Sequence, residues 1–174
     1  FNRGVYSFNE GVDKAVLKPA AEVYQAALPQ FIRSSVSNFF GNINDIITAL
    51  NNLLQGKFTT AYSDLGRVAI NSTLGVLGLF DVASEAGIEK HDEDFGQTLA
   101  VWGVPDGPYV MVPFAGPQTL RDVFAFPLDV LADPLWYYQN DPVRYGLYTL
   151  RFIDIRADFL PLDKMLDDSF DPYI

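Results

Sequence analysis

The chain has 174 residues, of which 49% are hydrophobic and 20% charged, a composition that excludes a disordered chain and favours one domain. It contains no cysteine and one histidine, which excludes disulfides, thiol catalysis and metal sites built from thiolates or several histidines. The 12 basic and 22 acidic residues give a net charge of −10, which argues against a nucleic-acid-binding protein.

Charged residues are unevenly distributed along the chain. Residues 34–80 contain only four charged side chains, and residues 95–120 contain only Asp106. About a quarter of the residues of a soluble domain are normally charged, so these stretches indicate deep burial or a non-aqueous neighbour. The longest uncharged runs, 68–80 and 107–120, are too short and too rich in glycine and proline to cross a membrane as a helix. We therefore expect any bilayer contact to be made by lying in the membrane surface.

The first third of the chain predicts amphipathic helices. Apolar residues spaced by three or four predict a helix over Val12–Ala27, interrupted at Pro19 and ending near Pro29. A longer stripe predicts a helix over Ile32–Leu54, split or bent at Gly41. Its opposite face carries hydroxyl and amide side chains with one charge, so this segment is strongly amphipathic.

The remaining elements follow in chain order. Another helix is predicted over Phe58–Val68, followed by a turn loosened by closely spaced glycines at 75 and 78. Residues 85–94 predict a solvated acidic loop, and residues 95–117 mix glycine and proline with aromatic residues, which predicts irregular structure. An apolar stripe over Tyr148–Leu166 returns the chain to helix. These elements predict a single all-α domain with an irregular glycine–proline segment.

Two groups of side chains could carry chemistry. His91 lies among acidic residues, but their spacing is not that of a calcium loop, so a solvated loop is favoured over a cation site or catalytic dyad. Arg67 and Asn71 share a helical face in a charge-poor region. This pattern favours a buried arginine that staples helices, and the alternative is an arginine lining a cavity that receives a phosphate headgroup. The sequence lacks nucleophile-elbow, phosphate-loop and zinc-protease motifs, so no catalytic residue, cofactor or metal is predicted.

A series of ordered sequence blocks resembles the MlaA (VacJ) family of Gram-negative outer-membrane lipoproteins, and the matching blocks run nearly end to end. They comprise Phe1-Asn2-Arg3, Phe8-Asn9, Lys18-Pro19, Asn52–Lys57, Asn71–Gly75, Phe95–Leu99, Trp102-Gly103-Val104, Gly107-Pro108-Tyr109, Gly116-Pro117, Arg121-Asp122 and Asp171–Ile174. The resemblance implies a ring- or disc-like helical domain in the inner leaflet of the outer membrane. It also implies an amphipathic channel that removes mislocalised phospholipids from the outer leaflet and passes them to the periplasmic carrier MlaC, beside a trimeric porin.

The resemblance also implies roles for individual residues. Candidates for the channel or lipid path are Phe8, Asn9, Arg67, Asn71, Tyr109 and Met111. Candidates for hinges of the channel-lining loop are Gly103, Gly107 and Gly116. Candidates for the membrane-facing side of the long amphipathic helix are Ile32, Val36, Phe39, Phe40, Ile43 and Ile47.

Three expectations about the whole protein follow from the same resemblance. Residues 1–174 are expected to form one domain, and the family's lipoprotein signal with its lipidated cysteine and its C-terminal tail are expected to lie outside this chain. The protein is expected to be a lipid-anchored transporter and not an enzyme. Two alternatives stay open: a phospholipase-type hydrolase that uses His91, and a purely structural module that binds porins.

Overall fold

A computed structural model describes the backbone of residues 1–167 and the side chains of residues 1–163. The Asp171–Ile174 block and the side chain of Leu166 therefore lie outside the described part. The chain begins with helix α1 (Asn2–Val12), which continues through a π-helical segment (Asp13–Leu17) into helix α2 (Lys18–Ala27). The predicted break at Pro19 is not seen, because the chain stays helical through it; the α-helical pattern changes instead over Asp13–Leu17, and Pro19 lies in the first turn of α2.

Helices α3 (Gln30–Leu54) and α4 (Phe58–Thr73) form the most extensively packed pair of the fold. The predicted split of α3 at Gly41 is wrong, because the helix is continuous over its 25 residues. A Cβ atom at Gly41 would lie 2.6 Å from Nζ of Lys90, so the glycine makes room for a neighbouring side chain and does not break the helix.

The faces of α3 and α4 that pack inward are polar. Their buried residues include Asp45, Asn52, Asp64 and Arg67, none more than 2% exposed. Large apolar side chains of the same helices remain exposed, among them Ile46, Leu50, Leu53, Phe58, Tyr62 and Leu65. This arrangement reverses that of a water-soluble protein, in which the apolar stripe of a helix faces the core.

A turn over residues 74–80 and the short helix α5 (Val82–Glu85) lead into an extended segment, residues 88–94, which we call the acidic strap. Helix α6 (Phe95–Val101) follows, and then an antiparallel hairpin of β1 (Tyr109–Val112) and β2 (Gly116–Thr119). The prediction of irregular structure over 95–117 is therefore wrong for the helix and the hairpin. Both strands of a two-stranded hairpin are edge strands, which explains why Pro117 is tolerated in β2.

The last part of the described chain contains helix α7 (Leu120–Ala132), a 3-10 turn (Pro134–Tyr137) and helix α8 (Asp141–Asp167). Thr119 caps α7 by accepting a hydrogen bond from the Asp122 N–H. Helix α8 packs against α2, and Tyr24 donates a 2.8 Å hydrogen bond to Asp154 across that contact. The predicted helical fold is confirmed, with the hairpin as an addition.

The many exposed apolar side chains raise the question of whether a helix spans a bilayer. Among the described residues, no helix combines the length and the hydropathy that a transmembrane span requires. This agrees with the lengths of the uncharged runs in the sequence.

A substitution at Gly75 tests how tightly the turn over residues 74–80 is packed. A Cβ atom there would lie 2.1 Å from the Phe80 carbonyl oxygen and 2.5 Å from that of Asn71, both of them backbone atoms. Gly75→Ala should therefore lower the free energy of unfolding by about 2 kcal/mol or more. Gly66→Ala is the control, because its Cβ has open space and should stabilise α4 by about 0.5–1 kcal/mol. Equal effects of both variants in chemical denaturation would contradict this packing.

Candidate functional site

Two adjoining cavities lie between α3, the acidic strap, α7 and α8. The first, which we call the apolar cavity, has a volume of about 500 Å³ and a wall of Ile47, Phe126, Val130, Trp136 and Phe152, with carboxylates along its rim. The second, which we call the polar cavity, has a volume of about 530 Å³ and is lined by Ser37, Lys90, His91, Asp154 and Asp158, among others. Volumes of this size are typical of small-molecule sites.

Four residues line both cavities, and we call this shared boundary the neck: Asn44, Asp92, Arg151 and Ile155. Asn44 donates a 3.0 Å hydrogen bond to Asp92 and accepts a longer one, 3.4 Å, from Arg151. Arg151 also bonds Asp133 at 3.0 Å and lies over the ring of Phe40. The neck therefore joins α3, the acidic strap and α8 through polar side chains, beside the apolar side chain of Ile155.

Asp129 is the carboxyl group in the apolar cavity whose ionisation is most strongly perturbed. Burial raises the pKa of Asp129 to about 6, against the opposing effect of a 2.9 Å hydrogen bond from the Phe95 N–H. The nearby charge of Asp94 acts in the same direction as burial. The wall of this cavity therefore disfavours an additional uncompensated negative charge.

The structure places Arg67 and Asn71 inside the protein and away from both cavities. Arg67 is 1% exposed, and its guanidinium bonds Asp45, both carboxylate oxygens of Asp81, and the Ile88 carbonyl. Asn71 bonds Asp81 and accepts from the Ala83 N–H. This geometry is the helix-stapling arrangement, so assigning these two residues to the lipid path was wrong.

The pKa values of the two carboxyl groups that bond Arg67 are shifted in opposite directions. Burial opposes ionisation of Asp81, but hydrogen bonds from Ser84, Asn71 and Arg67 hold the pKa of Asp81 well below its usual range. Burial raises the pKa of Asp45, and the charges of Lys90 and Arg67 counter part of that effect. Arg67 is therefore one of several groups that compensate these carboxylates, together with Lys90 at Asp45 and with Ser84 and Asn71 at Asp81.

The acidic strap belongs to the predicted solvated loop over 85–94, and most of its side chains are exposed, but His91 and Glu93 tie it to α4 and α3. His91 Nδ1 lies 2.7 Å from a buried oxygen of Asp64, whose other oxygen accepts from Asn52. Glu93 accepts hydrogen bonds from Gln55 and Lys57. Among the described residues, no group of three or more potential metal ligands is present.

The other predicted lipid-path residues connect α1 to the hairpin. Asn9 donates to the Val112 carbonyl and accepts from the Phe114 N–H, and the rings of Phe8 and Phe114 meet edge to face at 5.5 Å. Met111 is buried, so its assignment to a lipid-facing wall was wrong, whereas Tyr109 is exposed. None of these residues belongs to the linings of the two described cavities.

The predicted membrane-facing set of α3 divides into two groups. Phe40 and Ile47 are buried, and each lines one of the cavities, so their assignment to the membrane-facing side was wrong. Ile32, Val36, Phe39 and Ile43 are half-buried, and their contact with a membrane stays a prediction. The exposed apolar side of this helix lies further along, at Ile46, Leu50, Leu53 and Leu54.

Two of the three predicted hinge glycines, Gly103 and Gly107, precede the hairpin, and Gly116 begins its second strand. Gly103, Gly107 and Gly116 have φ angles of 88°, 70° and 76°, in the left-handed region that favours glycine. Gly107 is also packed, because a Cβ there would lie 3.1 Å from Cβ of Leu120. These positions explain how the chain approaches the hairpin and starts its second strand, and their action as hinges stays a prediction.

The residues of the neck were missed in the sequence. Asn44 lies on α3, whereas Arg151 and Ile155 lie on α8, more than a hundred positions away. Each helix shows its own periodicity, but periodicity does not reveal which distant elements enclose a common cavity.

The fold and these cavities define a helical protein with a polar interior, an apolar exterior and an amphipathic opening. The family model for the MlaA lipoprotein matches residues 1–174, and the chain belongs to that family. It is 37% identical to the intermembrane phospholipid transport system lipoprotein MlaA of Shigella flexneri and 36% identical to that of Escherichia coli (strain K12). Each match covers 100% of this chain and 70% of the relative.

Two further comparisons agree with this assignment. An uncharacterized protein of Rickettsia typhi is 36% identical over 100% of this chain and 70% of its own. A protein solved in work on the structural basis for maintenance of bacterial outer membrane lipid asymmetry matches with a TM-score of 0.85 and 34% identity, covering 99% of this chain and 88% of the other. Since this match extends to the structural level, the family's fold applies to the whole described chain.

Asp129 gives a pH-dependent prediction. Its pKa is about 6 in the folded chain, against about 3.9 for an unperturbed carboxyl group. A raised pKa stabilises the fold at low pH, and that contribution is lost as the pH rises through about 6. Asp129→Asn keeps an oxygen acceptor for the Phe95 N–H, so this variant should melt above the wild-type temperature at pH 8. Near pH 4 the difference should vanish.

Circular dichroism melts at both pH values measure this effect. The control is Glu22→Gln, because Glu22 is an exposed residue of α2. This variant removes the same charge and should shift the melting temperature little at either pH. An Asp129→Asn effect of equal size at pH 4 and pH 8 would show that ionisation is not its cause.

Proposed function

We propose that this protein moves phospholipids through the two adjoining cavities, as the outer-membrane component of a system that maintains lipid asymmetry. The observation that carries the proposal is the neck, where a cavity walled by aromatic and aliphatic side chains lies next to one lined by charged side chains. A phospholipid has the same division into acyl chains and a charged headgroup. The relatives' name, intermembrane phospholipid transport system lipoprotein, supports the same function.

In this mechanism the lipid crosses without any bond being made or broken. The headgroup passes the polar side chains of the neck, including Asn44 and Arg151, while the acyl chains stay against Phe126, Phe152 and Ile155 or in the bilayer. Burying a charged headgroup in an apolar medium is costly, so a polar wall lowers the barrier to its movement. No catalytic group is required, and we propose that the protein is not an enzyme.

We further propose that the protein lies in the inner leaflet of the outer membrane, lipid-anchored in its full-length form. The exposed apolar side chains of α3 and α4 support this placement, because their polar faces pack against each other and leave apolar surface outward. The family resemblance supports a trimeric outer-membrane porin and the periplasmic carrier MlaC as partners. In this arrangement the porin holds the protein in the membrane and the carrier receives the extracted lipid.

One observation favours a hydrolase as a second candidate. His91 and Asp64 form a 2.7 Å pair, and such pairs orient the general base of many hydrolases. In the described part of the chain, however, no serine or threonine hydroxyl bonds His91, and the pair fastens the acidic strap to α4. A phospholipase would release lysolipid, whereas a conduit leaves the lipid intact.

Native mass spectrometry after incubation with diacyl phospholipid micelles tests the proposal, with lipid products analysed in the same sample. The wild-type chain should retain intact two-chain lipid and release no lysolipid. Ile155→Trp, which fills the neck, should reduce bound lipid about tenfold and prevent the protein from restoring outer-membrane asymmetry in cells. Phe159→Trp is the control, because Phe159 is exposed on the same helix and lines neither described cavity.

The possible outcomes separate the candidate functions. Accumulation of lysolipid would support the hydrolase, and porin binding without bound lipid would support the purely structural module. Equal lipid retention by Ile155→Trp and the wild type would remove the neck from the lipid path.

We propose that the hairpin moves during transport, with Gly103 as one hinge. Gly103→Ala places a side chain at φ 88°, and a Cβ there meets open space. The backbone strain of about 1 kcal/mol should bias the hairpin away from this conformation and slow transport severalfold. Gly87→Ala is a matched control, with φ 81° and open space, but it is remote from the hairpin in the chain.

Comparing Gly103→Ala with Gly87→Ala is informative because both variants should lose similar stability. Thermal melts compare their stability, and outer-leaflet phospholipid in cells compares their transport. Equal transport rates for the two variants would contradict the hinge role of Gly103.

A further inference from the structure

The polar cavity contains one basic and one acidic side chain that the protein does not pair by hydrogen bonds. Most of the other charged groups around this cavity are engaged elsewhere. Arg151 bonds Asp133, His91 bonds Asp64, and Asp154 accepts from Tyr24 and Ser37. Asp92 accepts from Asn44. Lys90 and Asp158 are the exceptions among the described residues, and they differ in sign.

Lys90, which lines the polar cavity, makes one weak electrostatic contact with Asp45. Its Nζ lies 3.9 Å from Oδ1 of Asp45, too far for a hydrogen bond, and lies close against Gly41. That Asp45 oxygen is buried and accepts no hydrogen bond in the described part of the chain, so it attracts the ammonium group without binding it closely. The Lys90 side chain is 46% exposed, and its N–H donors remain available to a group that enters the cavity.

Asp158 supplies the opposite charge from α8. Its carboxylate makes no hydrogen bond or ion pair with another described residue, although it lines the same cavity as Lys90. Burial, together with the charge of Asp154, raises the pKa of Asp158, and the charge of Arg33 compensates this carboxylate only in part. A cation bound beside Asp158 would offset both the cost of burying this carboxylate and its repulsion by Asp154.

We propose that the polar cavity is a subsite for a zwitterionic phospholipid headgroup, in which Lys90 binds the phosphate and Asp158 binds the ammonium group. The proposal rests on the proposed transport function and adds the headgroup class that the conduit accepts best. A phosphodiester with an amine carries both charges on one short chain and complements the two available groups. An anionic headgroup that lacks the amine would be attracted by Lys90 and repelled by Asp158 together with its neighbours.

The test compares two lipids with identical acyl chains, phosphatidylethanolamine and phosphatidylglycerol, offered in equal amounts to the same chain. Native mass spectrometry gives the ratio of the two bound lipids. The wild type should retain more phosphatidylethanolamine. Asp158→Asn should lower that ratio about threefold to fivefold, the effect expected from removing one solvent-accessible ion pair.

Two further variants keep the interpretation specific. Lys90→Gln should lower the retention of both lipids and leave their ratio unchanged, because both carry the phosphate. Glu22→Gln removes one acidic charge from α2 and should change neither quantity. Because the ratio is measured within one protein sample, partial unfolding of a variant does not alter it.

The outcomes distinguish this inference from the function on which it rests. If the wild type retains neither lipid, the transport function fails and this subsite fails with it. If both lipids are retained but Asp158→Asn leaves their ratio unchanged, the headgroup subsite is overturned while transport stands. If Lys90→Gln leaves the retention of both lipids unchanged, the phosphate assignment is overturned.

Discussion

The buried guanidinium of Arg67 is the interaction on which the first half of the fold depends. From α4 it bonds Asp45 on α3, Asp81 before α5 and the Ile88 carbonyl at the start of the acidic strap. Taking these charges out of water is costly, and removing one partner would leave the others buried without compensation. The arginine therefore links four segments through its own hydrogen bonds, and Asn71 and Ser84 add to its contacts at Asp81.

The polar interior explains the apolar exterior of the same helices. Because α3 and α4 pack through Asp45, Asn52 and Asp64, side chains such as Leu50 and Leu65 are directed outward. A protein lying in hydrocarbon must satisfy its polar groups internally, since no water is available there to do so. In water this surface would be a liability, but in a bilayer it supplies the stabilising contact. The buried network and the proposed membrane location are thus both explained by one distribution of polar residues.

Much of the fold could be predicted from the sequence, whereas most of the site could not. Periodicity located the long helices, and the Arg67–Asn71 spacing correctly favoured a helix staple. Which face of α3 is buried was harder to predict, because its amphipathic pattern is the same whether the apolar or the polar face packs inward. Phe40 and Ile47 were placed on the wrong side for that reason. The hairpin was missed because its glycines and prolines obscure strand periodicity. The neck depends on Asn44 and Arg151, which only tertiary packing brings together.

In the proposed conduit, the contacts of the neck explain how the lipid path can stay closed and still admit a headgroup. Arg151 holds Asp133 at 3.0 Å but reaches Asn44 only at 3.4 Å, near the limit of a hydrogen bond. A phosphate entering the neck could replace the longer contact with a hydrogen bond between two oppositely charged groups, which attract each other more strongly than the guanidinium attracts the Asn44 amide. The Arg151–Asp133 ion pair would persist and keep α8 attached to the end of α7. Opening the neck for a headgroup therefore exchanges a weak contact for a stronger one and leaves the surrounding helices in place.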